Sequence, residues 1–215
     1  MSRESLGVTP VKGLLADVSA GTLAPGGVGM AALAGGMAAA LVGLVGRLTA
    51  GKPGYEPMTE EMERLLERAK VLEEQVLTFM DQEIEAFNKL IESAGLPRGA
   101  GEHDEQTIIR RDMMRIAARG YTQVPLQVGQ IGMELLQLAE SVVRYGNREM
   151  AADAGAALQM AIASVRASAL HVLINLQGQD DEWASEARER VRKWLEELPA
   201  IEQELWKHAL TQVGG

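Results

Sequence analysis

Apolar residues recur every three or four positions through most of the chain, which is the spacing of one face of an α-helix. The clearest stripe runs from Thr59 to a Gly95-Leu96-Pro97 stop. Its apolar members are Met62, Leu65, Leu66, Ala69, Leu72, Val76, Phe79, Met80, Ala86, Phe87, Leu90 and Ile91. With Thr59 as N-cap and Glu60 and Glu61 in the first turn, this pattern predicts one long helix that ends at Gly95.

The stretch from Val18 to Gly46 contains no charged residue, so we expect it to be buried. Its first part, Ala24 to Gly29, is predicted to be a proline- and glycine-rich loop whose backbone a ligand can approach closely. Its second part, Met30 to Thr49, is predicted to be a helix whose glycines let another helix pack against it. A turn that merely leads into a buried helix is the alternative. A membrane span is disfavoured because the larger apolar residues are only Leu, Val and Met.

Four further helices are predicted: a short one after Pro10, and others over about residues 105–145, 151–176 and 180–212. Pro125 is expected to kink or divide its helix, and Pro199 is expected to interrupt the last one. The 151–176 helix has no charge between Asp153 and Arg166. We therefore expect it to pack against the uncharged helix described above, in the centre of the fold.

Composition favours one all-α domain over residues 1–215. Aromatic residues make up only 4% of the chain, and plentiful Ala, Leu, Met and Glu favour helix over sheet. The net charge of -9 argues against a general nucleic-acid binder, and the absence of cysteine excludes disulfides and thiolate chemistry. Without a signal-peptide pattern, the cytoplasm is the expected location. We predict a single-domain multi-helix bundle with central Ala/Gly-rich helices. Two such charge-poor helices offer more apolar surface than one chain covers, which favours a homodimer.

Glu83 falls within the apolar stripe of the long helix, three residues after Met80 and four before Phe87. A carboxylate among apolar side chains has a raised pKa, which suits proton transfer near neutral pH. The alternative is that the stripe drifts around the helix and Glu83 emerges at its solvated edge. Asp153 is either a helix N-cap or a pocket carboxylate, and His171 is either a hydrogen-bonded core histidine or a ligand-binding group. The scattered histidines predict no metal site.

Several sequence blocks, in order along the chain, match motifs of a known family: Pro25-Gly26-Gly27, Leu48-Thr49-Ala50-Gly51-Lys52, Asp81 to Phe87, Val124-Pro125-Leu126, Asp153-Ala154-Gly155-Ala156-Ala157 and His171 to Leu176. In these blocks the chain resembles the formiminotetrahydrofolate cyclodeaminase and methenyltetrahydrofolate cyclohydrolase family. It departs from the family pattern at Val28-Gly29, at Glu83, which stands for an Asp, and at His171, which stands for an Asn.

The resemblance implies a helical homodimer that acts on one-carbon tetrahydrofolates. Such an enzyme hydrolyses methenyltetrahydrofolate to formyltetrahydrofolate, or cyclises formiminotetrahydrofolate with release of ammonia. Glu83 would transfer the proton, and Asp153 would orient water or stabilise the cationic amidine. The substrate-binding residues it implies are Pro25, Gly26, Gly27 and Gly29 against the flat ring, His171 and Asn175 on the folate, and Lys52 for an anionic group. No metal and no cofactor beyond the tetrahydrofolate substrate is expected. The alternatives are a relative that acts on another iminium or amidine, and a non-catalytic dimeric binding module.

Overall fold

The computed structural model describes residues 5–21 and 25–214, and this part of the chain is helical, without a strand. Its α-helices are α1 Val11–Ser19, α2 Gly27–Thr49, α3 Thr59–Ala94, α4 Glu105–Tyr145, α5 Ala151–Asn175 and α6 Glu182–Gln212. Short 3₁₀ turns at Leu6–Val8, Glu56–Met58 and Arg148–Met150 precede α1, α3 and α5. The prediction of an all-α fold is confirmed.

Helix α2 lies at the centre of the fold and packs against α3, α4 and α5. Its glycines let these helices approach closely. A Cβ atom added to Gly35 would lie 3.1 Å from Val76 Cγ2 of α3 and 3.2 Å from Ser164 Oγ of α5. One added to Gly36 would lie 3.1 Å from Leu77 Cδ2. Larger residues would force these neighbours to shift. The predicted packing of α2 against α5 is therefore confirmed.

Helix α2 begins earlier than the sequence predicts. Gly26 is its N-cap and Gly27–Gly29 forms its first turn, whereas the predicted loop extends to Gly29. Ala24, the first residue of that loop, lies outside the described residues. The first turn of a helix leaves backbone N–H groups without helical acceptors. In α2, the side chain of Glu83 from α3 accepts hydrogen bonds from this first turn. The other end agrees with the prediction, because Gly51 follows the helix with a φ of 71°.

Helices α4 and α6 each continue through an internal proline. Proline removes one backbone hydrogen bond, which is why the sequence predicts a kink or break. In α4, the neighbours Val124 and Leu126 of Pro125 are both buried, and in α6, Leu198 beside Pro199 is buried. Burial of these side chains stabilises the continuous helix against the loss of one bond. The predicted interruption at Pro199 is wrong.

The predicted helix ends are partly correct. Gly95 follows α3 as its C-cap, as expected, but Thr59 is the first residue of that helix rather than its N-cap. The Thr59 hydroxyl instead accepts a 3.1 Å hydrogen bond from the backbone N–H of Gly51. Helix α5 begins at Ala151, because the preceding 3₁₀ turn leads directly into it. Asp153 therefore lies in the first turn of α5 and is not its N-cap.

Helices α2 and α5 run antiparallel, which gives the bundle two distinct ends. At the start of α2, Gly27 contacts His171 in the last turns of α5. At the other end, the backbone N–H of Asn147, just before α5, donates a 2.8 Å hydrogen bond to the hydroxyl of Thr49, the last residue of α2. We call the first the Glu83 end and the second the Lys52 end, after the site candidates that lie there.

Two helical spans have the length and apolar composition that a membrane crossing needs, Gly27–Thr49 and Arg148–Asn175. In the fold, 61% of the most apolar 18-residue stretch of the first span is buried inside the protein, and 50% of that of the second. Core helices of soluble proteins meet the same length and composition test, so this test alone does not make either helix a membrane span.

Candidate active site

Glu83 of α3 is buried, with 1% of its surface exposed, and it lies against the start of α2. Its Oε2 accepts a 2.8 Å hydrogen bond from the backbone N–H of Gly29 and a 3.3 Å one from that of Gly26. These N–H groups belong to the helix N-terminus, which also carries the positive end of the helix dipole. A Cβ atom on Gly29 would lie 3.0 Å from Oε2, so glycine gives the carboxylate room to approach. The prediction that Glu83 shares the buried face of its helix is confirmed.

Burial raises the pKa of the Glu83 carboxyl above its ordinary value. Four groups act in the opposite direction and lower the pKa: the backbone N–H groups of Gly26, Gly29 and Val28, and the nearby imidazole of His171. Desolvation is the largest of these effects. A carboxyl with a raised pKa and donors fixed on one oxygen can exchange a proton at a higher pH than a solvated carboxyl while it keeps its orientation.

His171 of α5 sits directly against the first turn of α2. Its Nε2 lies 2.2 Å from the position that a Cβ atom on Gly27 would occupy. Only glycine at position 27 therefore leaves room for the imidazole in this position. Asn175 lies one helical turn further along α5, on the same face. Its side-chain Nδ2 is buried and has no hydrogen-bond partner within the described residues.

Tyr121 of α4 and Phe87 of α3 complete the Glu83 end. Phe87 lies one turn after Glu83 on the same face, and its ring centroid is 5.9 Å from that of Tyr121, at an interplanar angle of 58°. Burial raises the pKa of the Tyr121 phenol, and the charge of Glu83 raises it further. Sequence reasoning missed Tyr121. The available signal was its place one turn before the Val124-Pro125-Leu126 block.

The structure places the predicted site residues at both ends of the bundle. Seven of them lie at the Glu83 end: Pro25, Gly26, Gly27, Gly29, Glu83, His171 and Asn175. Asp153 lies eighteen residues before His171 on α5, which is roughly 27 Å along the helix axis at about 1.5 Å per residue. Lys52 lies at the same end as Asp153, where its Nζ is 2.6 Å from Glu149 Oε2. One copy of the chain therefore does not bring Lys52 or Asp153 to Glu83.

A cavity of about 780 Å³ opens between α3 and α4. It is lined mainly by apolar atoms, and Gln82, Ala86, Gly120 and Gln123 are among its residues. Gln82 and Ala86 are sequence neighbours of Glu83 and Phe87, so they point to a different side of α3. Glu83 and His171 do not line this cavity. It is adjacent to the Glu83 end but separate from the carboxylate.

The fold and this site define a class of protein: an all-α bundle with a buried carboxylate held by the N-terminus of a glycine-rich helix. Residues 10–193 match the family described as formiminotransferase-cyclodeaminase. The chain belongs to this family, as the sequence blocks indicated.

Individual relatives agree with the family match. The chain is 33% identical over 190 residues to a methenyltetrahydrofolate cyclohydrolase of Methylorubrum extorquens, which covers 88% of this chain and 90% of that protein. It is 26% identical over 195 residues to the formimidoyltransferase-cyclodeaminase of Mus musculus, covering 90% of this chain but only 36% of the mouse protein. The crystal structure of a formiminotetrahydrofolate cyclodeaminase from Thermotoga maritima superimposes with a TM-score of 0.77 at 24% identity, covering 95% and 96% of the two chains. The last comparison supports the fold.

Proposed function

We propose that this chain is an enzyme of one-carbon folate chemistry that hydrolyses methenyltetrahydrofolate to formyltetrahydrofolate. The observation that carries the proposal is the buried Glu83 carboxyl, oriented by two backbone N–H groups beside an imidazole. The choice of reaction is supported by the Methylorubrum extorquens relative, a cyclohydrolase that this chain matches over 90% of its length.

In the proposed reaction, the Glu83 carboxylate accepts a proton from a water molecule whose oxygen forms a bond to the methenyl carbon. The electron pair of the iminium bond moves to its nitrogen and neutralises the cation. The resulting adduct carries a hydroxyl group on a tetrahedral carbon. Protonation of one ring nitrogen then lets that carbon–nitrogen bond break, while the hydroxyl loses its proton and becomes the formyl carbonyl. One proton is released overall, and Glu83 carries protons in both steps.

The other residues of the Glu83 end bind and orient the substrate in this proposal. Asn175 offers the unpartnered Nδ2, and His171 offers a ring nitrogen that can donate or accept. The backbone from Pro25 to Gly29 lies against the flat ring, because it carries no bulky side chain beyond Pro25 and Val28. The steps as written use no metal ion and no cofactor other than the tetrahydrofolate substrate.

The same site suits a second reaction, the cyclisation of formiminotetrahydrofolate with release of ammonia. The observation that favours it is the match over 90% of this chain to the mouse formimidoyltransferase-cyclodeaminase. Here the free amine nitrogen of the substrate attacks the formimino carbon and its proton passes to the formimino nitrogen. Glu83 then donates the second proton with which ammonia leaves, and the carbon–nitrogen bond to ammonia breaks to give the methenyl cation. Assaying the wild-type protein with each folate separates the two: loss of methenyltetrahydrofolate above its spontaneous hydrolysis supports the first reaction, and ammonia release from the formimino compound supports the second. A folded protein that does neither contradicts both.

We also propose that the protein is a homodimer in the cytoplasm. Helix α2 carries no charge before Arg47, yet Met37, Leu44 and Leu48 on its outer face are 40–45% exposed in a single chain. A helix that is apolar on all sides is usually buried on all sides. A second copy packed on this face would bury these side chains. A role for Asp153 in the reaction then requires the partner copy, because one chain holds it far from Glu83.

A further inference from the structure

The packing of α4 on α3 brings the Tyr121 ring to the face of α3 that carries Glu83. Side chains four residues apart on a helix lie one above the other, so Glu83 and Phe87 share one face of α3. The Tyr121 ring contacts Phe87 from α4, with 5.9 Å between ring centroids. This contact fixes the plane of the Tyr121 ring and leaves its hydroxyl as the polar end of a side chain that is half-buried.

The Tyr121 side chain is half-buried, and its hydroxyl makes no hydrogen bond to another residue in the described part of the chain, although it is not among the fully buried unpaired atoms there. Most buried polar groups in proteins are paired, and a tyrosine hydroxyl in a partly buried position usually finds a partner. At the same end of the bundle, Asn175 Nδ2 is also unpaired. The end of the bundle that holds the oriented carboxyl therefore also carries two donors without a protein partner, as expected of a site that binds a polar ligand.

We propose that Tyr121 is a further substrate-contacting residue, whose hydroxyl donates a hydrogen bond to the oxygen that Glu83 activates. The inference rests on the proposed function and adds a second group to the site. The adduct carries this oxygen as a neutral hydroxyl, and negative charge develops on it as the hydroxyl loses its proton and becomes the formyl carbonyl. A donor aimed at that oxygen stabilises the transition state of this collapse more than the starting cation, which lowers the barrier. No bond to the phenol breaks, so the proton balance of the reaction is unchanged.

The electrostatics of the site fit this role. Burial and the charge of Glu83 both disfavour the phenolate and raise the pKa of Tyr121. The group therefore stays a neutral O–H donor at every pH at which Glu83 changes its protonation state. It cannot replace Glu83 as the base, and it complements Glu83 as the donor.

The test compares Tyr121→Phe with Tyr145→Phe. Both variants remove one phenolic hydroxyl from α4, but Tyr145 is 52% exposed and lies at the last residue of the helix, at the Lys52 end. We expect Tyr121→Phe to lower kcat for methenyltetrahydrofolate hydrolysis by about tenfold to a hundredfold, with the acidic limb of the pH–rate profile unmoved. Tyr145→Phe should leave kcat unchanged. If Tyr121 instead only held Glu83 in place, the acidic limb would shift.

A binding measurement separates this proposal from the proposed function. Calorimetric titration with 5-formyltetrahydrofolate, a stable folate, does not depend on turnover. We expect weaker binding to Tyr121→Phe than to wild type, by about fivefold or more, and equal binding to Tyr145→Phe. If wild-type protein binds the folate but does not turn over methenyltetrahydrofolate, the proposed reaction is wrong. The titration of Tyr121→Phe then still shows whether Tyr121 contacts the folate. Three results would each overturn the inference. Tyr121→Phe could keep wild-type kcat and affinity, its acidic limb could shift, or the wild-type protein could neither bind the folate nor react.

Discussion

At the scale of single residues, the central feature is the Glu83 carboxyl group, which is surrounded by apolar side chains but held by backbone N–H donors. Apolar neighbours remove Glu83 from water, while the N–H groups of Gly26 and Gly29 hold one of its oxygens. Orientation and an elevated pKa are combined in one side chain, which is the combination that general acid–base catalysis uses.

The raised pKa of Glu83 predicts how stability depends on pH. Folding favours the protonated carboxyl, so its stabilising contribution is complete below the pKa of the unfolded chain and is lost as pH rises through the folded pKa. Glu83→Gln removes this dependence and keeps an oxygen that can accept from Gly29. We therefore expect the Tm of the variant, relative to wild type, to increase between about pH 4 and pH 8. Thermal melts followed by circular dichroism measure it, and a Tm difference that stays constant or falls would contradict the assignment of desolvation as the dominant effect.

At the scale of secondary-structure elements, the start of α2 is shaped by its partners. Its first turn contains no side chain larger than Val28, and both Glu83 and His171 pack into the space this leaves. Local sequence predicted a loop here because glycines are poor helix formers. The helical first turn depends on acceptors that come from elsewhere in the chain.

Gly27→Ala tests this packing, with Gly43→Ala as the matched control in the same helix. The new methyl group at position 27 would meet His171 Nε2 at 2.2 Å, so the imidazole must move. At position 43 nothing lies within 4 Å of the added atom. We expect Gly27→Ala to lower kcat/KM by about tenfold or more, and Gly43→Ala to keep activity and gain about 0.5 to 1 kcal/mol of stability. Steady-state kinetics and thermal melts report both.

A second substitution identifies the cause. His171→Asn replaces the imidazole with a shorter side chain, so we expect Gly27→Ala to lower activity by a smaller factor in the His171→Asn background than in wild type. Equal activity of Gly27→Ala and wild type would show that the contact with His171 has no role in the site.

Much of this architecture could be predicted from the sequence, because helical periodicity and the absence of charge are local signals. The long α3 stripe, the buried face of Glu83 and the α2–α5 contact all follow from them. Other features depend on the way distant segments pack. Pro199 sits inside a continuous helix because Leu198 is buried beside it, and the closeness of Tyr121 to Glu83 arises only when α4 packs on α3. No local pattern encodes these relations.

At the scale of the whole molecule, the family-like motifs divide between the two ends of the bundle. Glu83, His171 and Asn175 lie at one end, and Lys52 and Asp153 at the other, roughly 27 Å along α5 by the rise of about 1.5 Å per residue. A two-fold axis perpendicular to α2 would place the Lys52 end of one copy beside the Glu83 end of its partner. The proposed homodimer therefore offers a way for Asp153 to reach the site.

Mixing two inactive variants tests that arrangement. Glu83→Gln and Asp153→Asn are each expected to be inactive as homodimers. Unfolded and refolded together, they form heterodimers in which one of the two sites has both native carboxylates, so the mixture should regain about a quarter of wild-type activity. Refolding each variant alone is the control. Absence of recovery, with heterodimers detected by native mass spectrometry, would exclude Asp153 from the partner's site, and full activity of Asp153→Asn alone would exclude it from the reaction.

The most direct test of the account is the rate of methenyltetrahydrofolate absorbance loss with wild-type protein and with Glu83→Gln, both corrected for spontaneous hydrolysis in the same buffer. Glutamine keeps the size and one acceptor oxygen but cannot carry the proton. We expect wild type to accelerate hydrolysis and the variant to lose about a hundredfold or more in kcat with its fold intact. A variant as active as wild type would contradict the role of Glu83. Wild-type protein that is folded but does not accelerate the reaction would contradict the proposed hydrolysis itself.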